Sequence, residues 1–275
     1  MLFKIGERTG KTFPCRITRF LASGGMSEIY LAQLEGTKHF FAVKAVDNSE
    51  KKVRCLKKEY ELLKKLRWSG IPRVMIFEEE KRRSYFVMFY YEGINLEQYI
   101  EDCLRKGEKI PEHKILHIAK GLCQILAYLH GDVYDLQRVK QPALIHQDIK
   151  PANILLQENN RVVLLDFGVA DYGGAVQNNV AFQGTLGYAA PECWHREQEG
   201  ISRATDIFAL GATLFRLLEG REPRACFGSF VLTDKERAAR WQEIINKCCA
   251  MDKNDRIQSA AKLYEMLKQH SQYDK

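Results

Sequence analysis

Two short segments of the sequence bring together polar residues that a strand hairpin would hold close to one another. Residues 146 to 156 read His-Gln-Asp-Ile-Lys-Pro-Ala-Asn-Ile-Leu-Leu, and Asp166-Phe167-Gly168 follows ten residues later at the end of an apolar run. Asp148 can accept a proton from an attacking hydroxyl, and Lys150 can neutralise charge on a phosphoryl group in transfer. Asn153 and Asp166 offer the hard oxygen ligands that magnesium prefers. The grouping indicates phosphoryl transfer, in which a protein contributes mainly positioning and electrostatics.

The same segments resemble the catalytic loop and the metal-binding loop of eukaryotic-like (Hanks-type) serine/threonine protein kinases. The pattern H-x-D-x-K-x-x-N followed at short range by D-F-G is improbable by chance. Gln147 departs from it, because many kinases have arginine there. The resemblance implies an α+β, bilobal protein-kinase-like fold, with a small β-rich lobe that has one helix and a larger, mainly α-helical lobe. It implies that residues 1–91 form the ATP-binding N-lobe and residues 92–275 the catalytic and substrate-binding C-lobe.

The beginning of the chain resembles the glycine-rich loop of a kinase. Residues 13 to 34 read as two strands joined by a glycine turn, whose backbone amides can lie over phosphates because glycine has no side chain. Ala22 and Ser27 replace the first and third glycines of G-x-G-x-x-G, and Gly24 keeps the central one. The G-G-M-S-E variant resembles bacterial loops and predicts a bacterial origin. The nucleotide-binding residues implied in this loop are Ala22, Ser23, Gly24, Gly25, Met26 and Ser27.

A lysine and a glutamate are expected to pair behind this loop. Lys44 in Phe40-Phe-Ala-Val-Lys matches the strand lysine that holds the α and β phosphates of ATP in kinases. A helix is predicted from Asn48 or Ser49, and Glu59 and Glu61 compete as the partner of the lysine. Glu59 lies on the inward side, whereas Glu61 is turned away by about 200° at roughly 100° per residue, so we choose Glu59. The apolar stripe that defines the inward side is Val53, Leu56, Tyr60, Leu63 and Leu66.

The strand that starts at Ser84 ends in a connector between the two lobes. By resemblance, Met88 lies beside the adenine pocket, and the backbone of Phe89 and Tyr91 hydrogen-bonds the base. Three apolar residues are implied to sandwich the adenine, namely Ile29, Ala42 and Leu155. The cofactors implied are ATP and Mg²⁺, with Mn²⁺ as an alternative ion.

The second part of the chain resembles the substrate platform of a kinase. Thr185 stands where a threonine of the family hydrogen-bonds the catalytic aspartate and lysine, here Asp148 and Lys150. This combination implies a protein substrate with a serine or threonine acceptor. Glu192, in Ala-Pro-Glu, is implied to pair with Arg256.

Several helices are predicted in this part. Asn95 is an N-cap candidate, and a long helix follows Pro111. Asp206 heads an apolar helix, closed by Gly220 at the position after its last turn. Residues 131 to 142 form an insertion of unknown purpose, about ten residues long by comparison with the family.

The segment after the metal-binding loop predicts how activity is controlled. Between Gly168 and Gly184 there is no serine or threonine, and Tyr172 is the only tyrosine. An arginine before the catalytic aspartate normally receives a loop phosphate in this family, but Gln147 occupies that position. We therefore expect activity that does not depend on activation-loop phosphorylation.

Composition restricts partners and location. The net charge is +7, and residues 50 to 83 hold twelve Lys/Arg against six Asp/Glu, a pattern more typical of a solvated helix face than of a nucleic-acid site. No apolar run reaches about 18 residues and no signal-peptide core precedes the first strand, so we expect no membrane segment and a cytoplasmic protein. The eight cysteines show no C-x-x-C pair and are expected to be reduced. Regulation is expected to come from an unidentified activator or dimer partner.

Two alternatives stay open. The altered glycine-rich loop and Gln147 also fit a pseudokinase or scaffold that binds nucleotide and a partner without turnover. A small-molecule kinase on the same fold is the second alternative, against which Thr185, Lys150 and the Ala-Pro-Glu segment argue.

Overall fold

The structure is a computed structural model that describes residues 1–131, 142–172, 184–194, 200–223 and 230–270. It divides into two compact units, Met1–Glu92 and Gly93–Lys275. Within the described ranges, no helix is both long and apolar enough to cross a membrane. The predicted insertion lies outside the described residues, except for Gly131 and Pro142 at its ends.

The N-terminal unit is built on a six-stranded antiparallel sheet. Its strands are β1 (Arg8–Thr9), β2 (Cys15–Ser23), β3 (Glu28–Leu34), β4 (Phe40–Asp47), β5 (Val74–Glu79) and β6 (Arg83–Phe89). They lie in the order β1-β2-β3-β4-β6-β5. The predicted hairpin within residues 13 to 34 is confirmed as β2 and β3. Alternate residues of the central strands face a core that includes Ile17, Tyr30, Val43, Tyr85 and Val87.

One helix, α1 (Glu50–Leu63), completes the N-terminal unit. It begins after Ser49, as predicted, and buries Leu56, Glu59 and Leu63. The predicted stripe runs to Leu66, but the α-helix ends three residues earlier. The chain continues there with two i→i+3 hydrogen bonds, which tighten the last turn and still bury Leu66.

The C-terminal unit is mainly helical. Its described helices are α2 (Leu96–Lys106), α3 (Glu112–His130), α4 (Arg203–Glu219), α5 (Lys235–Cys248) and α6 (Ala260–His270). Its short strands are β7 (Ile94–Asn95), β8 (Leu144–Ile145), β9 (Ile154–Leu156), β10 (Val162–Leu164) and β11 (Asp171–Tyr172). These strands pair as β10-β9-β7 and as β11-β8, all antiparallel. The two units together give the predicted α+β class.

Helix α4 is the centre of this unit. Every residue from Ala204 to Leu218 is buried, because the sequence is apolar nearly all round the helix. Asp206 lies in its first turn rather than ahead of it. Gly220 closes the helix with a left-handed φ of 70°, as predicted. Asn95 is likewise confirmed as the N-cap of α2, since its side chain accepts a hydrogen bond from Glu97 N.

Candidate active site

The loop that contains Asp148 is held by a buried carboxylate of α4. It runs from the end of β8 to a short 3-10 turn, Pro151–Asn153. Asp206 is fully buried and accepts hydrogen bonds from His146 N and Gln147 N, both at 2.9 Å. His130 Nε2 also lies 2.9 Å from the same carboxylate. Gln147 has a left-handed φ of 68°, which is uncommon outside glycine, and these bonds support it.

Three side chains, those of Asp148, Lys150 and Thr185, form a closed set of contacts. Lys150 Nζ donates to Thr185 Oγ1 at 2.6 Å, and Thr185 in turn donates to Asp148 Oδ1 at 2.6 Å. Lys150 Nζ also lies 2.9 Å from Asp148 Oδ2. The predicted contacts of Thr185 with Asp148 and Lys150 are therefore confirmed. The set places a carboxylate and an ammonium group side by side, both still partly accessible to solvent.

Asn153 and Asp166 fit the requirements of a divalent cation. Asn153 Nδ2 donates to both Asp148 O and Asp148 Oδ2, at 2.8 and 2.9 Å, so its amide oxygen points away from these bonds. Asp166 follows β10 and is exposed, with a left-handed φ of 56°. Leu165 N donates to Asn153 O at 2.7 Å and so brings the two segments together. An amide oxygen and a carboxylate are ligands suited to magnesium, which usually keeps several waters.

His146 and Phe167 pack the two segments together. The two rings meet edge to face with centroids 4.7 Å apart, and Phe167 is buried. His146 Nε2 lies 3.0 Å from Leu165 O, while Asp148 N donates to His146 Nδ1 at 3.3 Å. Because a carbonyl only accepts, the proton of the neutral ring is on Nε2. The imidazole thus links the loop of Asp148 to the segment that leads into Asp166.

In the N-terminal unit, Lys44 pairs with Glu59. Lys44 Nζ lies 2.7 Å from both carboxylate oxygens of Glu59, and both residues are buried. Glu61 is exposed and lies 3.4 Å from Lys64. The prediction of Glu59 rather than Glu61 is confirmed. A buried pair of this kind is weak evidence for stability, but it fixes the position of the ammonium group.

Four of the predicted adenine and phosphate residues of this unit, Ile29, Ala42, Lys44 and Met88, share one face of the sheet. Ile29 is opposite Lys44 in the β3–β4 register, and Ala42 is opposite Met88 in the β4–β6 register. Ala42 and Lys44 are two residues apart on one strand, so all four residues lie on the same face.

The turn between β2 and β3 has open space above its glycines. Gly24 N donates to Ser27 O at 2.9 Å, and residues 22 to 26 are exposed. A Cβ added at Gly25 would meet no atom within 4 Å, and one at Gly24 would meet only Ser27 O at 4.0 Å. Neither glycine is required by the packing of the protein itself. This space fits the close approach of a phosphate group to the backbone.

The connector residues show one restriction that the sequence did not reveal. Phe89 N donates to Arg73 O at 2.9 Å, so a hydrogen bond from Phe89 to a base would have to use its carbonyl oxygen. The Tyr91 hydroxyl lies near the same turn, where it accepts from Arg73 N at 3.3 Å. In the C-terminal unit, Leu155 is the central residue of β9 and is opposite Val163 of β10.

An ion pair fixes the segment that follows Thr185. Arg256 donates to both oxygens of Glu192 at 2.8 Å, which confirms the predicted pair. Burial raises the pKa of Glu192, but the hydrogen bonds and charge of Arg256 outweigh this effect and hold the pKa below its ordinary value. Arg256 also donates to the carbonyls of Ala204, Ala250 and Met251, so the pair joins this segment to the start of α4.

Sequence reasoning missed the hydrogen bonds of Asp206 and His130. Asp206 was expected to head a helix and, by resemblance, to lie where His146 stacks toward it, but its hold on the backbone that Asp148 follows was not predicted. The available signal was a single acidic residue in the first turn of an otherwise apolar helix. His130, the last residue of α3, is its buried partner, and no motif marks it.

Comparison with known proteins agrees with this geometry. Residues 16–271 match the model of the protein kinase domain. A probable serine/threonine-protein kinase of Dictyostelium discoideum is 31% identical over 226 residues, which cover 81% of this chain and 41% of that protein. Serine/threonine-protein kinase PrkC of Bacillus subtilis is 29% identical over 226 residues, which cover 80% of this chain and 32% of that protein. Serine/threonine-protein kinase PknB of Mycolicibacterium smegmatis is 32% identical over 143 residues, which cover 50% of this chain and 20% of that protein.

The chain therefore spans about two fifths or less of the length of these relatives. They come from bacteria and from a eukaryote, so the bacterial origin stays a prediction. The family match covers nearly the whole chain and includes all the candidate site residues. The chain belongs to the protein kinase domain family.

Proposed function

We propose that this protein is a serine/threonine protein kinase that transfers the γ-phosphoryl group of ATP to a hydroxyl of a protein substrate. The observation that carries the proposal is the set of Asp148, Lys150 and Thr185. Asp148 Oδ1 is held by one donor, which fixes the carboxylate in the orientation needed to receive a substrate proton. Lys150 lies beside it and stabilises charge on the transferring phosphoryl group.

The other residues hold the nucleotide. Bound ATP with a divalent cation supplies the transferable phosphoryl group, and we propose magnesium, with manganese as an alternative. Asn153 and Asp166 are the proposed metal ligands, supported by the direction of the Asn153 amide. Lys44, braced by Glu59, binds the α and β phosphates. We propose that residues 1–91 bind ATP and that residues 92–275 carry catalysis and substrate binding.

The adenine-binding residues follow the same proposal. Ile29, Ala42 and Leu155 contact the base, with Met88 at the pocket edge. Support comes from the shared sheet face that holds Ile29, Ala42 and Met88 with Lys44. The carbonyl of Phe89 and the backbone of Tyr91 hydrogen-bond the base. The loop of residues 22 to 27 covers the phosphates, which agrees with the open space at its glycines.

The substrate is a protein with a serine or threonine acceptor. Thr185 supports this proposal, because its hydroxyl joins Lys150 to Asp148 at the start of the segment that ends in the Glu192–Arg256 pair. An activator or a second copy would provide regulation, and no nucleic-acid partner is proposed. A cytoplasmic location is part of the same proposal.

Activity independent of activation-loop phosphorylation is also proposed. Gln147 is neutral and buried, so it offers no charge to a loop phosphate. The sequence from Gly168 to Gly184 has Tyr172 as its only hydroxyl-bearing residue. Phosphatase-treated protein and the Tyr172→Phe variant should keep the activity of the parent. A large loss in either would contradict this part of the proposal.

The main test uses purified protein with Mg²⁺, radiolabelled ATP and a generic basic protein as acceptor. Parent protein should place label on serine or threonine, and Asp148→Asn should lower kcat by orders of magnitude with nearly unchanged ATP affinity. Equal turnover by both proteins would refute the role of Asp148. Binding of ATP without any transfer would favour the pseudokinase alternative, for which the altered glycine-rich loop is the supporting feature.

A further inference from the structure

The side chain of Gln147 joins the loop of Asp148 to the chain that follows Asp166. Gln147 is 2% exposed, and its Nε2 donates to Val169 O at 2.9 Å. Because a carbonyl only accepts, the amide nitrogen must face Val169. Val169 comes directly after Asp166-Phe167-Gly168, so one hydrogen bond links residue 147 to the proposed metal-binding loop.

The main chain of Gln147 contacts two further segments. Its N–H donates to Asp206 Oδ1 of α4. Its carbonyl oxygen lies against Gly184, where an added Cβ would approach it to 3.1 Å. Gly184 has a φ of 111° and immediately precedes Thr185. Residue 147 therefore touches α4, the chain after Asp166 and the turn before Thr185.

The amide oxygen of Gln147, Oε1, is buried, and no described residue donates a hydrogen bond to it. An unpaired buried acceptor is unfavourable, so an apolar side chain of the same length would serve folding about as well. The amide of Gln147 is therefore explained by what its Nε2 holds rather than by its contribution to stability.

We propose that Gln147 is a positioning residue that holds Asp166 in place relative to Asp148 and Asn153, through its hydrogen bond to Val169 O. Pairing of β11 with β8 secures the same chain two residues later, at Asp171. The segment from Asp166 to Asp171 is thus fixed at both ends without any phosphate group. This inference rests on the proposed function, in which Asp166 is a metal ligand.

The test compares Gln147→Met with Gln242→Met as a matched control. Gln242 Nε2 also donates to a backbone carbonyl, Phe230 O at 2.9 Å, but lies on α5 outside the site. ADP binding is measured by calorimetry with Mg²⁺ and with EDTA, alongside kcat and melting temperature. In Gln147→Met, the gain in ADP affinity caused by Mg²⁺ should fall about fivefold, the equivalent of one net hydrogen bond, and kcat should fall by a similar factor. ADP affinity in EDTA should not change, and Gln242→Met should affect only the melting temperature.

A second pair of variants keeps the test decisive if Gln147→Met does not fold. Gln147→Arg can still donate to Val169 O, whereas Gln147→Glu presents a carboxylate to that carbonyl. The arginine variant should keep the magnesium dependence of the parent, and the glutamate variant should lose it. Equal behaviour of these two variants, or parent-like magnesium dependence in Gln147→Met, would overturn the inference. If the parent transfers no phosphate, the proposed function fails, but the ADP measurements still decide the role of Gln147.

Discussion

Replacement of Asp206 by asparagine should destabilise the C-terminal unit strongly, because its carboxylate satisfies several buried donors at once. Oδ2 accepts hydrogen bonds from His146 N and His130 Nε2, and Oδ1 accepts one from Gln147 N. Asparagine keeps only one oxygen. Its best orientation leaves that oxygen at the Oδ2 position and turns the NH2 group toward the N–H of Gln147.

The magnitude follows from the bonds that are lost. A hydrogen bond to a charged acceptor contributes about 1.5–3 kcal/mol, and a buried donor left unsatisfied costs about 1–3 kcal/mol. Together these effects give a loss of about 3–5 kcal/mol in the free energy of unfolding. Domains of ordinary stability have about 5–15 kcal/mol in total, so the variant should be marginally folded. The kcat of this variant should also fall, because Asp148 is the next residue after the backbone that Asp206 holds.

Urea unfolding followed by circular dichroism measures this loss from the midpoint and the m value. Asp234→Asn is the matched control. Asp234 Oδ1 also accepts two backbone N–H groups, from Glu236 and Arg237, but it does so at the exposed N-terminus of α5. Asparagine is an equally good N-cap, so this variant should unfold close to the parent. A shared midpoint for the two variants would show that the buried carboxylate does not hold the loop.

Three more predictions concern other parts of the site. Glu59→Gln should reduce kcat/KM for ATP at least about tenfold, since a buried ammonium loses its charged partner, whereas Glu61→Gln on the exposed face should behave as the parent in steady-state kinetics. Gly25→Ala meets no atom within 4 Å and has no left-handed φ, so its melting temperature should not fall, while its KM for ATP should rise; an unchanged KM would place the phosphates elsewhere. Glu192 has a lowered pKa, so its pairing with Arg256 should stabilise fully above the ordinary carboxyl value of 4.5 and progressively less as pH falls through the lowered value. The difference in unfolding free energy between the parent and Glu192→Gln should therefore shrink in acid, and a difference that grows in acid would contradict this sign.

Features that depend on local geometry were predictable from the sequence. The choice of Glu59 over Glu61 needed only the angle per residue of a helix and an apolar stripe. The Thr185 and Glu192 contacts join residues 35 to 64 positions apart, and they were predicted from the resemblance to kinase motifs rather than from local geometry. The end of α1 at Leu63 was not predictable from the stripe, because a tighter turn can bury Leu66 just as an α-helix would.

Distant hydrogen bonds that no family motif marks were not predictable. Asp206 accepts hydrogen bonds from His130 Nε2 and His146 N across 76 and 60 residues, and the apolar pattern of α4 does not say which donors its first turn faces. The bond from Gln147 to Val169 depends on a left-handed backbone at a residue that rarely adopts one. The occupied N–H of Phe89 depends on how the chain enters β5, which the composition of that strand does not reveal.

The burial of α4 from Ala204 to Leu218 has a consequence for how this protein can change. Because every position from Ala204 to Leu218 is buried, a larger or smaller side chain at any of them disturbs the packing of neighbouring residues. Since this helix also carries Asp206, whose carboxylate holds the loop of Asp148, we expect changes of side-chain volume on α4 to change the proposed turnover as well. Heat resistance and reaction rate are therefore linked traits when substitutions fall on α4, but separable ones when they fall on the exposed side of α5. Directed evolution toward stability should accumulate its accepted substitutions on the latter surface.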